Sequence, residues 1–166
     1  MTSALVLIDL MPRIIALPLE PYSGDEVLER SRRLADAFRV TGRPVVLVRV
    51  ERANVAEQPA GSGLADDLEQ PGDLVVVKHT IGAFHETELH ERLQERGVTT
   101  IVIGGIATIM GVESTAREAY DHGYELEFVS DAMSGFAAGE HEFTVSRIFP
   151  RFGDVRTTDD YLSDGS

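Results

Sequence analysis

The chain has 166 residues and a formal net charge of −13, with 15 Lys and Arg residues against 28 Asp and Glu residues. Hydrophobic residues make up 43% of it, as in a globular domain, and the acidic excess argues against nucleic-acid and anionic-membrane partners. Because the chain has no Cys, disulfides, thiolate metal sites and a cysteine nucleophile are excluded.

Six short runs along the chain are predicted as β-strands. The first ends just before Asp9 and the third ends on Lys78. Most of these runs are continuously apolar, which is typical of strands that are buried on both faces of a parallel sheet. The runs cover 4–8, 44–50, 74–78, 100–103, 125–129 and 155–157.

Helical patterns fill most of the gaps between these strands, and a glycine follows three of the helices. The alternation of strand and helix predicts an α/β fold with right-handed crossovers. We expect a Rossmann-like three-layer sandwich in which helices flank a mostly parallel six-stranded sheet. The predicted helices cover 26–41, 86–96, 112–122 and 140–150.

The chain is predicted to form a single domain over 1–166, with a surface connection at 59–72 that is rich in Pro, Gly, Asp and Glu. No apolar run is long enough to span a bilayer, and no N-terminal stretch has the pattern of a signal peptide. We therefore expect a cytoplasmic protein.

Three polar or Gly-rich segments follow strands that a parallel sheet would align. Asp9 directly follows the first strand, Lys78 ends the third, and the turn at 104–108 (GGIAT) follows the fourth. In such sheets ligands bind beyond the carboxyl ends of the strands, so an acid, an amine and backbone N–H groups would share one crevice. Lys78 would favour the charged form of Asp9, whereas burial would favour its neutral form. The alternative is that Asp9 only stabilises a turn and that Lys78 is an exposed, solvated side chain.

The Gly-rich turn does not have the spacing of a dinucleotide-binding fingerprint, and the chain contains no P-loop pattern. It also contains no H-E-x-x-H, and its five histidines lack clear ligand spacing. We predict neither a metal nor a cofactor.

Three segments of the chain carry a further signal, ALVLIDLM at 4–11, VVVKHTIGAFHETEL at 75–89 and GGIATIMGVESTAREAYDHGYELEFVSDAM at 104–133. In this order they resemble the isochorismatase-like hydrolase family, which also includes nicotinamidases and carbamoylsarcosine amidases. The resemblance implies that Asp9 is the acid/base residue and that Lys78 is the lysine of the site. It also implies a homo-oligomer, for which the apolar stretch at 14–19 is a candidate surface.

The chain departs from the family at the nucleophile. The family places a reactive Cys at the start of a helix, and that position is Gly111 here. With no Cys in the chain, the thioester chemistry of the amidases is excluded, and Ser114 and Thr115 lie too far into the helix to replace the thiol. Nicotinamidase activity is not expected, because the metal-binding Asp and His residues of nicotinamidases also have no counterpart.

Isochorismatases resemble this chain in having Gly at the same position. They hydrolyse a vinyl ether, which needs proton delivery to the vinyl carbon and no acyl-enzyme. On this interpretation Asp9 is the general acid, Lys78 orients it and stabilises charge, and Gly111 leaves space for substrate or water.

The resemblance further implies the residues that bind the substrate. The peptide bond before the Thr of the Gly-rich loop is often cis in the family, and the matching bond here joins Ile106 and Ala107. An anionic substrate needs cations, for which arginines near the ends of the first two strands are candidates. The predicted substrate-binding residues are Met11, Phe84, Ile106, Ala107, Thr108 and Arg49, with Arg13 and Arg52 as further cations.

Three hypotheses stay open on the sequence alone. The first is a Cys-independent hydrolase that uses Asp9 and Lys78. The second is a non-catalytic binding or scaffold protein that kept the fold, which Gly111 and the replacement of a typical Gln by Met11 favour. The third is an unrelated nucleotide-binding module.

Overall fold

The computed structural model describes residues 1–163. The strands are β1 (Thr2–Ile8), β2 (Val45–Val50), β3 (Leu74–Lys78), β4 (Val98–Ile106), β5 (Glu125–Ser134) and β6 (Asp154–Arg156). The α-helices are α1 (Pro12–Ile15), α2 (Gly24–Val40), α3 (Leu89–Gln94), α4 (Glu113–Asp121), α5 (Ala138–Phe143) and α6 (Thr158–Leu162). Two π-helical turns, Thr108–Val112 and Thr144–Ile148, and a 3₁₀ turn, Phe149–Arg151, lie between them. None of the helices in this part of the chain has the length and apolarity needed to cross a bilayer.

The six strands form one sheet in the order β3-β2-β1-β4-β5-β6, and every neighbouring pair is parallel. The chain moves outward from β1 in one direction as far as β3, and then in the other direction from β4 to β6. Between β1 and β4 the order reverses, and in sheets of this kind the crevice at such a reversal is where ligands bind. The predicted α/β fold is confirmed, and the sheet is wholly parallel.

The side chains of β1 alternate between two apolar layers because successive residues of a strand point to opposite faces. Val6 and Ile8 belong to the layer that packs against α3 and α4. Leu5 and Leu7 belong to the opposite layer, which packs against α2 and α6. Helices therefore cover both faces of the sheet, which gives the three layers expected from the sequence.

Several elements differ in length from their predictions. β5 continues to Ser134, five residues beyond the predicted end at 129, so the loop that follows it begins at the carboxyl edge of the sheet. The predicted helix at 140–150 is divided into α5, a π-helical turn and a 3₁₀ turn containing Pro150. α2 begins earlier than predicted because Ser23 and Glu26 form a capping box. The last three positions of the predicted domain, 164–166, lie outside the described residues.

Both the backbone conformation at position 105 and the close packing around it require a glycine. Its φ is +117°, and a Cβ atom there would lie 2.2 Å from the carbonyl oxygen of Ile8 on the neighbouring strand. We expect Gly105→Ala to lower the free energy of unfolding by about 3 kcal/mol or more, because strain and a backbone clash add. Urea denaturation measures this, and Gly63→Ala, where a Cβ would meet nothing within 4 Å, is the matched control. Equal stability of the two variants would contradict the prediction.

Candidate active site

A cavity of about 450 Å³ opens at the carboxyl ends of β1, β3 and β4. It contains the three positions that the sequence singled out for chemistry, and they come from three separate segments. Its lining consists of Asp9, Arg13, Ile14, Leu17, Val50, Glu51, Arg52, Lys78, His79, Thr80, Ile81, Ile106, Ala107, Met110, Gly111 and Phe136. The structure therefore brings Asp9, Lys78 and Gly111 together with Ile106 and Ala107, next to the reversal point of the sheet.

Asp9 and Lys78 form a buried ion pair. Lys78 Nζ lies 3.2 Å from Asp9 Oδ2. Lys78 is 2% exposed and Asp9 is 7% exposed. Nζ also donates hydrogen bonds to the carbonyl oxygens of Thr80, at 3.1 Å, and Ile81, at 2.8 Å. An ammonium group has three protons, so each of them has an acceptor here. These contacts fix the position of the Lys78 ammonium group.

Lys78 is also the only lysine of the chain, since the other basic side chains are arginines. A compact ammonium can place its three donors on one carboxylate oxygen and two carbonyl oxygens, whereas a guanidinium is a planar fork. The geometry of the contacts therefore accounts for a lysine at this position.

The Asp9 carboxyl is held in two opposing environments. Its backbone has a φ of +53°, a conformation that Asp tolerates better than most residues, at a sharp turn that directs the side chain to the cavity. Oδ2 faces Lys78, whereas Oδ1 is buried without a hydrogen-bond partner in the described structure. Burial raises the pKa of Asp9 above its usual value, and the positive charges of Lys78 and Arg13 offset part of that rise.

Gly111 lies directly beside the carboxyl group. A Cβ atom at this position would lie 3.5 Å from Asp9 Oδ2 and 2.9 Å from Cγ2 of Ile8. A side chain here would therefore enter the space in front of Asp9 and displace Ile8 slightly. The π-helical turn that carries Gly111 follows a cis peptide bond between Ile106 and Ala107, at the position expected from the resemblance.

The arginines near the site divide into two groups. Arg49 was expected in the pocket but points away from it, because it and Val50 are successive residues of β2 and face opposite sides. Its Nη1 lies 2.7 Å from Glu51 Oε1, which neutralises that carboxylate. Arg13 and Arg52 do line the cavity.

Three other predicted substrate-binding residues lie outside the cavity lining. Met11 is fully buried in the core, since the chain turns back immediately after Asp9. Phe84 packs beside α4, where its ring centroid is 5.0 Å from that of His122. Thr108 is buried, and its Oγ1 lies 2.7 Å from Nδ1 of His141. These three residues therefore do not border this cavity, because loop direction after a strand depends on long-range packing, and their contact with a substrate stays a prediction.

Sequence reasoning missed the apolar part of the lining. Ile81 lies in the loop after Lys78, and Met110 directly precedes Gly111. Their closeness in sequence to predicted site residues could have identified both of them as part of the lining. Phe136 follows β5, whose true end was not apparent from the sequence. In the candidate oligomer stretch at 14–19, Ile14 and Leu17 line the cavity, whereas Ile15 and Leu19 pack in the core. Within residues 1–163, no group of three or more His, Asp or Glu side chains is arranged to hold a metal ion.

The burial of His141 predicts acid sensitivity. Burial lowers the pKa of His141, so the unfolded chain takes up a proton near pH 6.5 while the folded protein resists it. The free energy of unfolding is therefore unaffected by the titration of His141 above about pH 6.5. At lower pH it falls by up to about 1.4 kcal/mol per pH unit. We expect His141→Asn to remove this slope in denaturation measurements between pH 5 and 7. His85→Asn, on an exposed side chain, is the matched control, and equal slopes in wild type and His141→Asn would contradict the prediction.

The wholly parallel sheet, with a buried acid–ammonium pair next to its reversal point, defines an α/β protein with a cavity beyond its strand ends, where sheets of this kind bind ligands. A family model described as the isochorismatase domain matches residues 3–160. The chain belongs to the isochorismatase family. This assignment replaces the alternative of an unrelated nucleotide-binding module.

Two relatives agree with the assignment over nearly the whole chain, and a third agrees over part of it. The uncharacterized isochorismatase family protein YwoC of Bacillus subtilis (strain 168) is 43% identical over 178 residues, covering 96% of this chain and 92% of YwoC. An isochorismatase family protein from Burkholderia thailandensis has a solved structure with a TM-score of 0.87 and 39% identity, covering 99% of this chain and 96% of the other. The ureidoacrylate amidohydrolase RutB of Variovorax paradoxus (strain S110) is 35% identical over 100 residues, 60% of this chain and 40% of RutB.

Proposed function

We propose that this protein is a hydrolase that cleaves a small anionic enol ether by acid/base catalysis, without a covalent intermediate. The observation that carries the proposal is the carboxyl group of Asp9, which lies buried on Lys78 beside Gly111 in a chain with no Cys. A thiol nucleophile is absent, so the groups available for chemistry are those of acid/base catalysis.

The two oxygens of Asp9 have different roles in this proposal. Oδ2 accepts from Lys78, so the ammonium fixes the orientation of the carboxyl group. Oδ1 has no partner within the described chain and is the oxygen that carries the proton. The raised pKa of Asp9 supports this role, because a general acid is most effective when its pKa approaches the working pH.

The reaction begins when Oδ1 delivers its proton to the terminal vinyl carbon of the enol ether, which becomes a methyl group. The electron pair of the double bond forms the new C–H bond, and the neighbouring carbon becomes an oxocarbenium ion. A water molecule adds to that carbon and returns a proton to the Asp9 carboxylate, giving a hemiketal. The hemiketal then breaks its bond to the ether oxygen, which takes the hydroxyl proton, and pyruvate and an alcohol are released.

The surrounding charges support an anionic substrate. Glu51 is neutralised by Arg49 outside the cavity, and Asp9 is paired with Lys78. Arg13 and Arg52 line the cavity, and neither forms an ion pair within residues 1–163. In a protein with a net charge of −13, this local positive charge favours a carboxylate ligand.

The test is release of pyruvate by the purified protein from isochorismate and from simpler enol ethers of pyruvate, such as 2-methoxyacrylate and 2-phenoxyacrylate. Pyruvate is followed by coupled oxidation of NADH. Turnover well above the rate in buffer is expected for at least one of these compounds. A rate equal to that in buffer for all of them would refute the proposal.

The absence of any Cys also favours a second candidate, a non-catalytic family member that binds a small molecule in the same cavity. It predicts that an enol ether raises the melting temperature of the protein without being consumed. Thermal shift and pyruvate release, measured on the same samples, separate the two candidates.

A further inference from the structure

Four large apolar side chains surround the mouth of the candidate active site. We call them the apolar collar, which consists of Leu17, Ile81, Met110 and Phe136. They are between 40% and 51% exposed, and all of them line the cavity of about 450 Å³. They come from four segments that are distant in sequence, and each segment follows or lies near the carboxyl end of a strand. Exposed apolar side chains that converge on one concave site are typical of a ligand-binding surface.

Two positively charged side chains, Arg13 and Arg52, line the same cavity as the collar and form no ion pair among the described residues. The guanidinium of Arg52 has no hydrogen bond or ion pair in the described structure, and that of Arg13 donates only to Ser62 Oγ, at 3.1 Å. The acidic groups of the lining, Asp9 and Glu51, already have cationic partners. The cavity lining therefore presents apolar surface together with two guanidinium groups that form no ion pair in the described structure.

We infer that the site selects an amphiphilic anion, a small carboxylate whose apolar alkyl or aryl substituent packs against the collar. The inference rests on the proposed function in one respect, that this cavity is the substrate site. In the enol ether, the carboxylate would lie towards Arg13 and Arg52, and the group on the ether oxygen would contact the collar. Leu17, Ile81, Met110 and Phe136 are then specificity-determining residues that discriminate among leaving alcohols.

Burial of apolar surface gives the expected size of the effect. Each methylene group buried by the collar is worth roughly a three- to fourfold gain in affinity. A phenyl substituent buries several carbon atoms more than a methyl substituent. Because the collar remains half open to water, we expect a phenyl ether to bind at least about tenfold more tightly than the methyl ether.

Binding is tested by calorimetry with unreactive probes, so that the result does not depend on catalysis. The probes are 2-phenoxypropanoate and 2-methoxypropanoate, which lack the vinyl group and cannot be hydrolysed by the proposed mechanism. The phenoxy compound should bind more tightly to the wild-type protein. Phe136→Ser should reduce that preference at least about threefold and leave the affinity for the methoxy compound nearly unchanged. Arg52→Gln should weaken both probes by a similar factor.

Matched controls keep the test specific. Phe143→Ser removes an aromatic ring that is 59% exposed but lies outside the cavity lining, and Arg147→Gln removes an exposed guanidinium elsewhere. Neither should change the affinity for the probes. Equal affinity of the two probes for the wild-type protein would overturn the inference, as would an equal effect of Phe136→Ser and Phe143→Ser.

A second copy of the chain is the other occupant that an apolar collar could contact. Light scattering on the wild type and on Phe136→Ser identifies that case. Dissociation of an oligomer by Phe136→Ser, with the preference for the phenoxy probe retained, would overturn the inference in favour of a subunit interface. Tight binding of the phenoxy probe without pyruvate release from the enol ethers would refute the proposed catalysis and leave the inference standing.

Discussion

Asp9→Asn is expected to lower the rate of pyruvate release by about 10²–10⁴-fold, the range typical of a positioned general acid. The amide has nearly the size of the carboxyl group, and its oxygen can still accept a hydrogen bond from Lys78. It cannot deliver a proton to the vinyl carbon. The variant should therefore stay folded and still bind substrate while losing the chemical step.

Steady-state kinetics on an enol ether distinguish this loss from a binding defect. A group that acts only in the transition state changes kcat and leaves KM nearly constant. The wild-type rate should also fall as the pH rises through the raised pKa of Asp9, because the reactive form is protonated. Asp36→Asn is the matched control, since it removes an exposed carboxylate of the same size that pairs with Arg39. Retention of more than about one tenth of wild-type turnover by Asp9→Asn would contradict the assigned role.

The sequence predicted the parts of the site that depend on the carboxyl ends of strands. An apolar run that is followed by a polar residue indicates both a buried strand and the place where it ends. Asp9 and Lys78 are such polar residues. A parallel sheet brings such ends to one edge whatever the packing of the helices. This topological rule is why two residues that are 69 positions apart in the sequence were predicted together and lie 3.2 Å apart.

The remaining parts of the site depend on features that a local pattern does not contain. Arg49 lies outside the cavity lining because a change of one residue along a strand reverses the face of the sheet, and the lining contains Val50 instead. Phe136 was missed because β5 continues to Ser134, past a shift of register in its pairing with β4. The contact of Thr108 with His141 joins residues 33 positions apart through the packing of α5, which no spacing rule predicts.

Lys78→Met should have a large effect on stability. Methionine has a similar length and fits a buried site, but it has no donors for Asp9 or for the carbonyl groups of Thr80 and Ile81. Removal of one partner of a buried ion pair leaves an uncompensated charge, so we expect a loss of about 3–5 kcal/mol at neutral pH. Urea denaturation measures it. Arg117→Met, which breaks an exposed pair with Glu113, is the control and should cost less than about 1 kcal/mol.

The pH dependence of the stability lost in Lys78→Met shows how much of that loss is electrostatic. Without Lys78 the pKa of Asp9 rises further, because the ammonium is one of the groups that lower it. A carboxyl group whose pKa is raised by folding stabilises the protein at low pH, and that contribution is lost as the pH rises through the folded-state pKa. The gap between wild type and Lys78→Met should therefore widen from pH 5 to pH 8. In the double variant with Asp9→Asn no carboxylate remains to be left unpaired, so its loss should be smaller than the sum of the two single losses. A gap that is constant with pH, together with additive losses, would show that Lys78 contributes only through packing and through its bonds to the two carbonyl groups.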